Sequence, residues 1–169
     1  MITTVRENLW QQFGASIDML KNAIVLWPEE LWDKKPKFFY NAYHCLIFLD
    51  YYLNFPAERM SSPLPFTFAA SGVVVKDAVD DIIPDRIYSK EELLGYLQTC
   101  REKCHRAIMN LTEESIAEQW IEKDSTRRFT VLELLLYNMR HVQHHAAQLN
   151  MYLRQEINDA PRWVSRAGK

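Results

Sequence analysis

Residues 130–152 read TVLELLLYNMRHVQHHAAQLNMY, and the spacing of the apolar positions in this stretch decides the fold. Leu134, Asn138, His141, His145, Leu149 and Tyr152 follow at steps of four, three, four, four and three, the period of an α-helix and not the alternation of a strand. Residues three and four apart share one helix face, so the stripe is apolar at both ends and polar in the middle. Its start is marked too. Thr130 with Glu133 forms a capping-box pair, and Phe129 with Leu134 is placed as the flanking hydrophobic staple.

The same signals recur upstream. Ser89 with Glu92 predicts a helix start, with Tyr88 and Leu93 as staple, followed by a stripe of Leu93, Leu97, Cys100, Cys104, Ile108 and Leu111. A helix over about residues 39–55 carries Tyr40, His44, Ile47 and Tyr51 on one face and stops before Pro56. The first helix, about residues 5–26, has Val5, Leu9, Phe13, Ile17, Leu20 and Ile24 on its stripe, a Thr4–Glu7 capping box, and Pro28 beyond its end. Four amphipathic helices predict an all-α four-helix bundle.

The connections are unequal. Pro56, Pro63, Pro65 and Pro84 fall between helices two and three, a stretch too long for a tight antiparallel turn, so a crossover is expected there. A structureless loop of that length is unusual in a compact domain, and residues 67–81 are expected to contain a short helix or an ordered lid. The link between helices three and four holds Trp120 and the charged run 122–128. Residues 1–158 read as one domain, and the polar tail 159–169 is expected to fray.

Composition excludes several classes of function. The 169 residues carry 20 Lys and Arg against 22 Asp and Glu, a formal charge of −2 without blocks of one sign, which argues against a protein that coats phosphate backbones. No nucleic-acid partner is expected. The longest uncharged stretch, residues 38–49, stops at Asp50, well short of the ~20 apolar residues of a membrane span. Three cysteines, Cys45, Cys100 and Cys104, are too few for a disulfide scaffold, so a reducing, cytoplasmic location is expected. Cys100 and Cys104 lie on an otherwise apolar stripe and read as small core hydrophobes.

The chemistry is carried by the histidines. His141 and His145 stand at i and i+4, within ~6 Å of each other on one face, so their imidazoles can converge on one ion. His44, at the middle of the second helix stripe, would complete three nitrogens, and His144 in place of His145 is the rival geometry. His105 falls off its stripe and is expected to be exposed. Three neutral imidazoles leave other coordination positions to water or substrate, as a catalytic metal requires. No Gly-rich phosphate loop, nucleophile elbow or CxxC motif is present.

The segments WPEELWDKKP, NAYHCLIFLDYYL and HVQHHAAQLNMYL resemble those of DinB-like, or YfiT-like, metal-binding four-helix proteins. In the last of them the family's H-x3-H pair matches His141 and His145, and the early histidine matches His44. The resemblance runs from about residue 5 to residue 152 and is weak in the Pro-rich middle. It implies an unusual crossover order, zinc or nickel on the three histidines, a small-molecule substrate and a homodimer. It also implies either a thiol-dependent S-transferase using a low-molecular-weight thiol or a hydrolase using water, and identifies no catalytic base. The alternative from another class is a helical binding or stress-response module whose metal is structural or vestigial.

Overall fold

The computed structural model describes residues 1–60, 66–80, 82–123 and 126–168. Within them lie four long helices, α1 (Ile2–Leu26), α2 (Pro36–Tyr51), α3 (Lys90–Met109) and α4 (Val131–Ile157), and one small hairpin, β1 (Gln119–Ile121) with β2 (Arg128–Thr130). Helix α1 packs against α3 and α4, and α2 against the same two, so α1 and α2 stand diagonally across the bundle. Phe13, Ile17, Leu20, Leu46, Leu97 and Leu149 fill the space between them and are fully buried. Truncating any one of these side chains to Ala costs about 2–5 kcal/mol. None of the described helices is long and apolar enough to cross a membrane.

The helix starts read from sequence hold at two positions and fail at two. At α3, Ser89 accepts from the Glu92 backbone N–H, and Glu92 in return accepts from the Ser89 N–H, a complete capping box. At α4, Thr130 Oγ1 accepts from the Glu133 N–H at 3.2 Å. The Thr4–Glu7 box does not form, because the helix begins a turn earlier: the Val5 N–H donates to the Met1 carbonyl and Ile2 already packs on the core. Helix α2 starts at Pro36, before the expected residue 39, since proline at the first helical position has a preset φ and lacks only an N–H that would be unpaired anyway.

Of the two longer connections, the first follows the ordered alternative expected for it and the second adds an element that was not expected. Of the short helix or ordered lid expected over residues 67–81, no helix forms in the described part and the segment is an ordered strap. The Ala69 N–H donates to the Ile83 carbonyl at 2.7 Å and the Asp85 N–H to the Thr67 carbonyl at 2.9 Å, while Tyr88 Oη bonds both the Thr67 N–H and Asp85. Pro63, Pro65 and Asp81 lie outside the described residues. The β1–β2 hairpin was not foreseen; it buries Trp120, whose indole N–H donates to the Asn54 carbonyl at 3.0 Å.

The tail, expected to fray, returns to the bundle. The Ala167 N–H donates to the Gln11 carbonyl and Gly168 bonds Asp18 and Arg101. A Cβ at Gly14 would stand 2.6 Å from that of Ala167, so only glycine lets the tail lie this close to α1.

Candidate metal centre

Adjacent helices α2 and α4 bring the three histidines together. His44 comes from the middle of α2, and His141 and His145 from successive turns of α4. Their ring centroids are 4.5 Å apart for His141–His145, 4.7 Å for His44–His145 and 5.3 Å for His44–His141. One nitrogen of each lies within 4.8 Å of the other two, and the three could hold a metal ion. Nε2 of His44 and Nε2 of His141 are 3.2 Å apart. Two nitrogens at ~2.0–2.1 Å from one tetrahedral ion would be about 3.3 Å apart, so this edge of the triangle already fits.

The rings are held from behind. Nδ1 of His145 lies 3.2 Å from Asn41 Oδ1, and the Asn41 amide donates to Gln148 Oε1 at 2.8 Å. That bond turns the Asn41 oxygen toward His145, which fixes the proton on Nδ1 and leaves a lone pair on Nε2. Nδ1 of His44 lies 2.9 Å from Asp80 Oδ2, a close approach but off the line of the ring N–H, so the carboxylate acts more as a charge beside the ring than as an in-line acceptor. Asp80 is itself set by its other oxygen, which accepts from the Ile82 N–H at 3.0 Å. Nδ1 of His141 is buried without a partner among the described residues.

Electrostatics favour the neutral, ligand-competent imidazole. Burial, then the neighbouring His145, His44 and His144, push His141 down to about 3. Burial, then His44 and His144, push His145 down to about 4. Burial alone would raise Asp80, but His44 and the Ile82 N–H outweigh it and hold the carboxyl below its ordinary value. A metal needs deprotonated ligands, and here no proton has to be expelled from His141 or His145 at neutral pH.

His144 is exposed and turned away from the triangle, so the rival assignment fails on geometry. It lines, with Tyr137, Arg140 and His141, an open groove of about 410 Å³ at the surface of α4. His105 is exposed and meets the Trp10 ring edge-on at 4.6 Å. Cys45, Cys100 and Cys104 are free and fully buried, and burial pushes all three thiols up, so they are core residues.

Sequence reasoning missed Asn41, Gln148 and Asp80. The first two had a signal, since Asn41 is one turn before His44 and Gln148 one turn after His145 on the same faces. Asp80 had none, being 36 residues from His44 and delivered by the fold of the strap.

The model of the DinB superfamily matches residues 12–149, most of the chain and every residue of the triangle. The protein belongs to the DinB superfamily. Comparison with curated proteins and with solved structures finds no match.

Proposed function

We propose that this protein is a metal-dependent enzyme in which His44, His141 and His145 hold a divalent ion, zinc or nickel, for S-transfer from a small thiol or for hydrolysis by water. One observation carries the reading: three imidazoles from two helices converge with two of their outer nitrogens already engaged, and His141 also lines an open groove. Structural zinc sites are closed by four protein ligands, whereas three ligands beside a groove leave a position for an exchangeable molecule. When bound, a divalent ion supplies a Lewis acid that lowers the pKa of a thiol or a water in that position.

The chain's own residues set the conditions for that chemistry. The three imidazoles bring no negative charge of their own. Asn41 orients the His145 ring, Gln148 orients Asn41, and Asp80 places a negative charge beside His44. Phe48 packs on His44 at 4.7 Å and on His141 at 5.9 Å between ring centroids, so one flank of the site is aromatic and sheltered from water.

The test is cobalt substitution. Cobalt-loaded protein should show a visible spectrum that changes when 2-mercaptoethanol is added, as sulfur enters the coordination sphere, and His44→Ala should weaken the response. A cobalt spectrum indifferent to every small ligand tried would overturn the open-site reading and favour a structural metal.

A further inference from the structure

The groove beside His141 is built entirely from one face and flank of α4, and its composition is selective. Tyr137, Arg140, His141 and His144 line it, and no carboxylate is among them. Tyr137 is fixed by stacking on Phe129, with centroids 5.2 Å apart and planes at 30°, and by an edge-on contact with Tyr52 at 5.3 Å. The groove therefore has a rigid aromatic end, a histidine of the triangle, and a rim carrying one permanent positive charge, the Arg140 guanidinium.

That charge has no ion-pair partner among the described residues. Arg86, Arg101 and Arg127 face Glu92, Asp18 and Glu122, whereas Arg140 makes no ion pair among the described residues. Arg128 and Arg154 also have no ion pair among the described residues; Arg140 differs in its place, lining the groove together with His141. Glu122 of the neighbouring hairpin is engaged by Arg127 and by Tyr51 Oη. Asp80 sits on the Nδ1 side of His44, away from the Nε2 that faces His141. A site holding a divalent cation on neutral ligands, with a guanidinium at its mouth, has a positive potential that attracts anions and repels cations.

From this we infer that the molecule entering the groove is a small organic anion, its negative group held by Arg140 and its reacting end directed to the triangle at His141. The volume of about 410 Å³ falls in the range of small-molecule sites. The inference deepens the metal-dependent reading and depends on it.

The experiment compares two thiols of similar size, 3-mercaptopropionate and 2-mercaptoethanol, titrated into the cobalt-loaded full chain and followed by the charge-transfer band. The carboxylate-bearing thiol should bind roughly fivefold more tightly, the upper end of what an exposed ion pair supplies, and added salt should erode the difference. Arg140→Gln should bring the two thiols to the same affinity, and Arg140→Lys should restore part of the preference. Equal binding of the two thiols to the unmodified chain, or a preference that survives Arg140→Gln, overturns the inference while leaving the metal site standing. A cobalt spectrum that responds to neither thiol refutes the open metal site, and the anion subsite with it.

Discussion

Asp80→Asn isolates the charge that the strap brings to His44. The two carboxylate oxygens have separate tasks, one 2.9 Å from His44 Nδ1 and the other accepting the Ile82 N–H at 3.0 Å. Asparagine keeps the shape and one acceptor, so the strap can stay in place while the negative charge is lost. Partners of this kind are worth about 10–100-fold in metal affinity. The Asp80 side chain is 26% exposed, so water screens part of its effect and the lower end is expected: about tenfold, or ~1.4 kcal/mol. Asp80→Ala removes both contacts and should approach the hundredfold end. Competition for zinc against a chromogenic chelator at fixed pH measures this directly. A tenfold weaker site loses about 1.4 kcal/mol of metal-derived stabilisation at saturation, which for a chain of this size is ~3–6 °C in the gap between metal-loaded and metal-free melting temperatures. An affinity within twofold of the unmodified chain would show that Asp80 neither orients nor charges the site, and would refute the role assigned to the strap.

Other outcomes follow from the same geometry. His141→Ala and His145→Ala should each abolish tight metal retention, whereas His144→Ala should leave most of it, since only His144 points out of the triangle; equal metal loss in all three variants would sink the assignment. The metal-free protein should lose stability as pH falls from about 6.5 toward 4, because the unfolded chain takes up protons at ordinary histidine pKa while His141 and His145, held down to about 3 and 4, do not. The slope is at most about 1.4 kcal/mol per pH unit for each histidine, and a urea midpoint unchanged between pH 7 and pH 5 would contradict the burial of neutral rings. Gly14→Ala should dislodge the tail from α1, seen as faster tryptic cleavage at Arg162 and Arg166, because the new methyl would stand 2.6 Å from the Ala167 Cβ; unchanged cleavage would mean that the tail tolerates displacement.

What was legible in the sequence is what is local in the chain. A stripe such as Leu134–Asn138–His141–His145–Leu149 reports helix, face and a pair of histidines able to converge at once, since all three depend on the same 3.6-residue period. The caps at Ser89 and Thr130 were legible for the same reason. The start of α1 was not, because Thr4–Glu7 competes with the burial of Ile2, and a capping pair contributes only ~1 kcal/mol against an added turn of packed helix. The hairpin at Trp120 escaped because its strands are three residues long, too short for alternation to show. Asp80 escaped because its contact with His44 depends on how the strap folds back, through the Phe68–Pro84 bridge and the bonds around Tyr88, and no residue near Asp80 announces where it will land.

The placement of the triangle separates the metal's role from that of the fold. Most of the core lies elsewhere: Phe13, Ile17, Leu20 and Ile24 of α1 meet Leu93, Leu97 and Ile108 of α3 and Leu149 and Leu153 of α4, all fully buried. Truncating one such residue costs as much as ~2–5 kcal/mol, so the bundle does not need an ion to close. Yet His145 is 95% buried in a site whose other polar atoms are only partly satisfied, and His141 Nδ1 is orphaned among the described residues. Burying such groups is unfavourable by about 1–3 kcal/mol each, a cost that a chain selected only for stability would remove by placing leucine at these positions. Trp27, Tyr43, Asn138 and Asn150 each bury an unpartnered polar atom too, but among the described residues only the triangle gathers three imidazoles whose cost one ion would offset. Chelation should therefore lower the melting temperature and leave the far-ultraviolet helical spectrum intact. Collapse of that spectrum on metal removal would make the ion a structural element and return the chain to the class of helical binding modules.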